Sequence, residues 1–518
     1  MAAEPPDEPQ PQNDPNWIGR QWQRVRNIRR RDVVIAQVGQ GARNIVIGTR
    51  NIQINVADRN LTLPVLLVPV LLTVIIGYLV YPKLEPLWNP AKMTGQFRIA
   101  VAQFGEIGAD GHVRSTQNGE VLSRWLFDGL IAEYVKNADV ELADAIEIWH
   151  DSRTDTPQNV KFGVLPGDTV EARQAAAARL ASRIDAHMVI YGNLITDPAG
   201  AGLDLEFYLS PLVNDETGAI VGAHRLGKLL PLPLPFDTGS PEANVAVGEK
   251  LKVRADALFW LTIGLTQQLL GRSEKALETF QRGEQELVDW PESDGKEILY
   301  FFIGREQLFL DRVDEAEASF RVAVGIEPEY ARAQVALGSV YQRRAQDVAP
   351  EKRLEEPRAL EQAIEHQRKG LDLALASGDP LLEAVARIAL AKSYRLLGET
   401  YDFLDNLEEA SREYDLVIGE IDQATALLAS MRQYRLLAQA YEAQGAAYLQ
   451  QGLLLSAQQQ AEGSRASLER ARTAYQHCID QGPKAPFDQI LQDQVIGEGC
   501  QRFYDQAVQF LEGLEGGG

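Results

Sequence analysis

The sequence predicts a multidomain chain with a single transmembrane helix, an α/β layer domain and a C-terminal all-helical solenoid. Three observations predict it. Residues 61–81 contain no charge, residues 97–236 alternate strand-like and helix-like patterns, and from about residue 250 one frame of small and aromatic residues recurs. A chain of 518 residues, 45% of them apolar, has the length and the material for several cores.

The charge is distributed unevenly along the chain. The net charge is −22, yet residues 16–59 hold nine arginines against two aspartates, and residues 1–15 hold four acids. A basic tail before an apolar span and an acidic body after it fit the positive-inside rule. We therefore expect a single-pass protein of the cell membrane, with a cytoplasmic N-terminus and residues 82–518 outside the cytoplasm. The acidic body also argues against a nucleic-acid partner.

The first 32 residues divide into two segments. Residues 1–15 are acidic and rich in proline, which predicts disorder. In residues 16–32, Ile18, Trp22, Val25 and Ile28 fall on one helical face among six arginines. Such a basic amphipathic segment suits the surface of an anionic lipid bilayer. A solvated linker whose charges only set the topology is the alternative.

Residues 33–57 contain a seven-residue repeat, R-N-I-x-I, that begins at Arg43 and again at Arg50. Alternating β-branched residues predict short strands, and copies from several chains could stack with asparagine ladders. The segment resembles bacterial amyloid-signalling motifs and, more loosely, the RIP homotypic interaction motif, which implies self-association. A small β-hairpin that acts as a spacer is the alternative.

Residues 61–81 form the predicted transmembrane helix. Twenty-one residues at a rise of about 1.5 Å per residue span about 30 Å, the thickness of a hydrocarbon core. Tyr78 and Tyr81 lie at the C-terminal end, where aromatic belts occur. A buried core helix or a signal peptide are the alternatives, but no cleavage site follows. Residues 82–96 are a proline-bearing linker.

Residues 97–236 show strand and helix patterns in the order β-α-β-α-β-β, which predicts a mixed sheet with helices packed on it. The strand 97–104 and the segment 185–193 resemble the small α/β modules of the TolB amino-terminal and CsgG/FlgO type, which occur in bacterial envelope proteins. The resemblance implies a module without a catalytic signature. Residues 229–235, LLPLPLP, predict an extended polyproline-type connector that closes the module.

Catalytic and cofactor motifs are missing from the sequence. His150, His187 and His224 lack the spacing of metal ligands, and surface or core histidines are the simpler interpretation. Neither a phosphate-binding loop nor a nucleophile elbow occurs. We expect no enzyme activity, no metal and no cofactor.

Residues 250–487 carry five copies of a frame in which a glycine on one helix precedes an alanine on the next, and in four of them an aromatic residue follows that alanine. This frame resembles the tetratricopeptide (TPR) repeat, in which small residues let helices A and B of a pair approach closely. The signature residues are Trp260, Gly264, Ala276, Phe280, Tyr300, Gly304, Ala316, Phe320, Pro328, Gly338, Tyr341, Tyr394, Gly398, Tyr401, Ala410, Tyr414, Gly445, Tyr448, Ala471, Tyr475 and Pro483.

Three further expectations follow from this frame. Gly304 and Ala316 should face each other, and the longer glycine-to-alanine spacing in copies three and five should reflect an inserted helical hairpin. Residues 488–518 should cap the array. Cys478 and Cys500 are either buried free thiols or a disulfide that ties the last repeat to this cap.

TPR arrays hold a protein or peptide partner in a groove, and the resemblance implies the same here. Helical phase places Gln268, Arg305, Gln342, Arg395 and Gln444 beside that groove. The sequence thus predicts a membrane-anchored TPR protein that mediates protein–protein interaction, as a scaffold or sensor at the bacterial cell envelope. A transmembrane signalling receptor whose N-terminal β-repeat tail self-assembles is the alternative, and an enzyme in the α/β module is a third.

Overall fold

The computed structural model describes residues 44–46, 53–55 and 91–516. Within the last range it omits residues 109, 138–139, 152–159, 198–199, 214–219, 234–235, 237, 240, 289, 291–295, 354–357 and 486–490. Among the described residues, no helix has both the length and the apolar character needed to cross a bilayer. The predicted span 61–81 and the basic segment 16–32 lie outside the described residues.

The β-repeat segment contains a two-stranded antiparallel sheet. Strand β1 (Asn44–Val46) pairs with β2 (Gln53–Asn55), so that Ile45 lies opposite Ile54. Directly opposed residues in an antiparallel pair point to the same face. The two isoleucines therefore share one side of this hairpin.

Residues 97–232 form the predicted mixed sheet. Its main strands run in the order β10-β8-β7-β3-β6, and β3 is parallel to both β6 and β7. The strands are β3 (Phe97–Val101), β4 (Gly105–Ile107), β5 (Val113–Ser115), β6 (Ile146–His150), β7 (Met188–Asp197), β8 (Gly200–Leu209), β9 (Gly222–Arg225) and β10 (Leu230–Leu232). The expected polyproline connector is wrong at Leu230–Leu232, because this segment pairs with β8 as an edge strand.

Two helices cover the sheet on opposite faces. Helix α1 (Gln117–Lys136) begins where the Thr116 hydroxyl accepts a hydrogen bond from the Gly119 N–H, and α2 (Val170–Ile184) begins in the same way at Thr169. Alternation along β3 sends Ile99 and Val101 into the core that contains α1, and Ala100 into the core that contains α2.

The module and the helical array share one hydrophobic core. Sheet residues such as Phe207 belong to the same cluster of buried side chains as Trp260 and Phe302 of the array. Helix α3 (Pro241–Leu269) packs on α1 and then provides helix A of the first repeat, so one helix belongs to both parts. Residues 86–518 accordingly form one compact unit.

The predicted TPR-like solenoid is confirmed as a series of antiparallel helix pairs. Copy one is α3 with α4 (Ser273–Glu286), and copy two is α5 (Glu297–Phe309) with α6 (Val313–Ile326). In copy three, α7 (Ala331–Gln346) pairs with α9 (Arg358–Ser377) across the short α8 (Pro350–Arg353). Copy four is α10 (Pro380–Phe403) with α11 (Leu407–Met431), and copy five is α12 (Tyr434–Ala457) with α13 (Ala461–Ile479).

The turn between helices A and B has the same geometry in four copies. Its middle residue adopts positive φ, and this residue is Gly271, Asp311, Asp405 or Gln459. The next backbone N–H closes the helix end, as in Arg272 N–H to the Gln267 carbonyl at 2.9 Å. Recurrence of one left-handed residue per turn keeps the helix pairs equivalent.

Each signature glycine accommodates a large side chain of helix B. A Cβ added to Gly304 would lie 2.9 Å from the ring of Phe320, and Gly398 and Gly445 meet the rings of Tyr414 and Tyr475 in the same way. The expected facing of Gly304 and Ala316 stays a prediction, since the three atoms nearest to this Cβ all belong to the Phe320 ring. The ring one turn further along helix B is the nearest neighbour of Gly304, because the missing Cβ leaves room for it.

The expectation of an extra helical hairpin in copy five is wrong. Both helices of that pair are lengthened beyond Gly445 and before Ala471, and only a short turn joins them. Seven added residues make nearly two complete helical turns, so lengthening each helix by this amount keeps the apolar face in register. In copy three the additional residues include α8.

The C-terminal cap is helical, as a π-helical segment (Leu491–Gln501) followed by α14 (Arg502–Gly516). Of the two alternatives for the cysteines, the structure contains the Cys478–Cys500 disulfide, which links α13 to the π-helical segment. Both sulfur-bearing side chains are fully buried in the core of the last repeat and its cap.

Reduction should loosen this end of the array. By restricting the unfolded chain, a disulfide that closes a loop of this size stabilises the folded chain by about 3 kcal/mol in the chain-entropy model. The stability lost on reduction should affect mainly copy five and the cap. We expect limited proteolysis after reduction to cut near the cap first. Equal protease resistance of the oxidised and reduced chains would contradict a stabilising role of the bond.

Candidate functional site

A groove with a largely apolar lining lies between three A helices in the described part of the array. It lies between α5, α7 and α10, encloses about 550 Å³, and we call it the A-helix groove. Its apolar lining includes Leu308, Phe309, Val335, Leu382, Val385 and Ile388. Phe309 keeps 56% of its surface exposed, so an aromatic side chain of the groove faces the solvent.

The charged residues that line the A-helix groove are mainly basic. They are Arg305, Arg332, Arg343 and Lys392, with Asp311 as the acid. Arg305 pairs with Glu306, and Arg343 pairs with Asp311 at 3.0 Å. The groove is thus a basic, apolar surface on a chain whose net charge is −22.

Lys392 differs from the arginines. The described residues supply no ion pair within 4 Å for its ammonium, and its side chain is half-buried on α10. Removal from water lowers the pKa of Lys392, against the smaller opposing effect of the Glu442 carboxylate. Glu442 on α12 is buried as well, which raises its pKa.

The floor of the groove also contacts the α/β module. The Arg332 guanidinium donates to the Ala223 carbonyl of β9 at 3.3 Å and lies 3.8 Å from the Asp379 carboxylate. The Phe301 ring lies 6.3 Å from the ring of His224, also on β9. Two of the side chains that line the groove, Arg332 and Phe301, therefore also contact strand β9 of the module.

Of the residues predicted by helical phase, the structure brings Arg305 and Gln342 together in the groove. Gln444 instead lines a different depression with Tyr448 and His477, and Arg395 pairs with Glu399 along α10. Sequence reasoning missed Lys392. Leu382, Val385, Ala389 and Lys392 follow helical spacing on α10, and this phase was a usable signal.

The three histidines singled out in the module are core residues. Each stacks on a phenylalanine: His187 on Phe97, His150 on Phe127 and His224 on Phe207, with ring centroids 5.0 to 5.1 Å apart. Among the described residues, no group of three or more His, Cys, Asp or Glu side chains is arranged to hold a metal ion.

His187 should make the module acid-sensitive. Its Nδ1 accepts the Arg98 backbone N–H at 3.1 Å, and burial, followed by the Arg98 charge, lowers its pKa to about 3. Because the pKa is about 6.5 in an unfolded chain, the unfolded state binds the proton more readily. The contribution of His187 is complete above pH 6.5 and is lost as the pH falls towards 3.

We expect the free energy of unfolding to fall by about 2 kcal/mol from this residue between pH 6.5 and pH 5. Burial lowers the pKa values of His150 and His224 too, so the total slope should be steeper. Urea unfolding followed from pH 7.5 to pH 5 measures it. His187→Gln should reduce the slope, and a flat profile for the wild type would refute the assignment.

A scan against protein-family models and a search of curated proteins gave no match to this chain. Solved structures with loose similarity include a thermophilic TPR protein of Thermus thermophilus, TTC0263. It is 20% identical, the match covers 46% of this chain and 98% of that one, and the TM-score is 0.33. The apo form of RapI is 16% identical over 50% of this chain and 84% of its own, with a TM-score of 0.31.

Aspartyl phosphate phosphatase F from Bacillus subtilis is also similar, at 16% identity over 52% of this chain and 64% of that one, with a TM-score of 0.30. Similarity at this level carries no argument about activity. The TPR-like character of the C-terminal region rests on the glycine–ring contacts and helix pairs of this chain itself.

Proposed function

We propose that this protein is a membrane-anchored scaffold that holds a protein partner in the A-helix groove. The observation that carries the proposal is the groove itself, an apolar and basic depression in which Phe309 stays exposed. Exposed apolar surface bordered by polar groups is typical of protein-binding sites.

The anchor and the location belong to the same proposal. The uncharged segment 61–81 and the arginines before it support a single span at the bacterial cell envelope, with the N-terminus in the cytoplasm and residues 82–518 outside. The disulfide supports an oxidising compartment for the C-terminal part. The bilayer is then a second partner of the chain, through residues 61–81.

A large side chain introduced into the groove should prevent the partner from binding. Ser339 lies half-buried on α7 in the groove, and Ser411 lies half-buried on α11, a B helix. Proteins that co-purify with the full chain from its native membranes should be lost with Ser339→Trp and retained with Ser411→Trp. If both tryptophan variants stay folded by circular dichroism and retain the same proteins, the groove is not the binding surface.

Protease accessibility tests the orientation. Protease added to spheroplasts should digest residues 97–518 and spare the N-terminal tail. Protection of the C-terminal part would reverse the proposed orientation.

A second candidate function is signalling through self-assembly of residues 33–57. The β1–β2 hairpin favours it, because an isolated two-stranded sheet cannot bury the face that carries Ile45 and Ile54. Copies from several chains could cover that face, while the nearby arginines oppose stacking by repulsion.

A peptide of residues 32–58 should therefore gain β structure and bind thioflavin on anionic vesicles but not on neutral ones. Ile54→Asp should abolish both signals by placing a charge in every layer. A wild-type peptide that stays monomeric on anionic vesicles would leave the hairpin as a spacer.

A further inference from the structure

The A-helix groove contains a cation, Lys392, for which the described residues provide no ion pair within 4 Å. Arg305, Arg332 and Arg343 each lie within 4 Å of a carboxylate, whereas Lys392 has no carboxylate within that distance among the described residues. Glu442 acts on it only at longer range. A half-buried ammonium without an ion partner is costly, and an incoming anion would recover part of that cost.

Lys392 stands at the end of an apolar stripe. Leu382, Val385 and Ala389 precede it on α10, one helical turn apart, and all of them line the groove. From Leu382 to Lys392 the helix rises about 15 Å. An extended peptide covers this distance with about four to five residues.

The row of A helices continues past Lys392, since α10 also contacts α12. We take the acidic group to be a side chain inside a peptide segment, and recognition of a terminal carboxylate is one outcome of the test below. The groove lining is basic, whereas the chain as a whole has a net charge of −22. The groove therefore attracts an acidic peptide, while the acidic surface of the rest of the chain repels it.

We infer that the A-helix groove recognises an acidic linear peptide, with a large apolar side chain against Leu382 and, about four residues later, an acidic side chain on Lys392. This inference rests on the proposed function and specifies the chemistry of its partner. Complementary charge supplies specificity and a faster encounter, while the apolar stripe supplies contact area.

The test uses the purified full chain and four fluorescent peptides on one glycine–serine backbone, three of which are capped at the C-terminus. The probe carries leucine followed four residues later by glutamate. Three control peptides carry glutamine in place of glutamate, lysine in place of glutamate, or glutamine together with a free C-terminal carboxylate. Fluorescence anisotropy gives each Kd, for the wild type, Lys392→Met and the control Lys369→Met, which alters an exposed lysine on α9.

The glutamate probe should bind about tenfold more tightly than the capped glutamine peptide, which is the range expected for a charge-assisted contact. Lys392→Met should remove this preference and Lys369→Met should preserve it. Preferred binding of the free C-terminal carboxylate, or no binding of any probe at millimolar concentration, overturns the inference.

Equal binding of the glutamate and glutamine peptides, lost in Ser339→Trp, also overturns the acidic recognition. That outcome would leave the groove as a peptide-binding surface. Failure of the inference is thereby distinguished from failure of the proposed function.

Discussion

Glu206→Gln should destabilise the chain by about 3 to 5 kcal/mol, the range for removing one partner of a buried ion pair. Glu206 on β8 accepts two hydrogen bonds from the Arg173 guanidinium, at 2.9 and 3.2 Å, and both side chains are less than 10% exposed. The neutral amide would remove the carboxylate that pairs directly with the buried guanidinium. Urea unfolding of the full chain at pH 7.5 measures the loss.

Two variants serve as controls for this prediction. Glu469→Gln breaks the exposed pair with Arg465 and should change stability by less than about 1 kcal/mol. The double variant Arg173→Met with Glu206→Leu replaces the pair with apolar groups and should recover most of the lost stability. A Glu206→Gln variant no less stable than the Glu469→Gln control would show that water reaches the pair.

Gly264→Ala should destabilise the array by about 1 to 3 kcal/mol, the range for overpacking a core. An added Cβ at this position would overlap the ring of Phe280, which fills the space between helices A and B of copy one. The helix pair must separate to admit the methyl group. The loss should be largest in copy one, because repeats contact mainly their neighbours.

The same helix offers a control substitution for which we expect the opposite change in stability. Gly248 also lies in α3, and nothing lies within 4 Å of a Cβ added there. Gly248→Ala should stabilise the chain by about 0.5 to 1 kcal/mol, because alanine loses less backbone entropy than glycine in a helix. Thermal unfolding should separate the two variants, and equal shifts would contradict the repeat frame at copy one.

The repeat frame could be predicted from the sequence because it depends on local spacing. Gly264 and Phe280, or Gly398 and Tyr414, are sixteen residues apart in adjacent helices, and the short turn brings them together. The order of strands and helices in the module was predictable for the same reason, since each element carries its own periodicity.

Features that depend on distant packing could not be predicted. Arg173 and Glu206 form a buried pair across different elements, and no local pattern marks either of them. The shared core of module and array could not be predicted either, because the apolar residues of α3 have the same pattern whether they face the module or the next repeat. Helical phase on α10 could have placed Lys392 in the groove, but its lack of an ion pair there depends on three helices from different repeats.

The central claim is that the A-helix groove is the surface that binds a protein partner. Phe309 is an exposed residue of that groove, and Val288 is 78% exposed but does not line it. A photo-crosslinking amino acid at either position of the full chain, in the cells that naturally produce it, compares the two surfaces directly. We predict a defined adduct from position 309 that disappears when Ser339→Trp is added, and none from position 288. An adduct of equal yield from both positions, or one from position 309 that Ser339→Trp leaves unchanged, would contradict the claim.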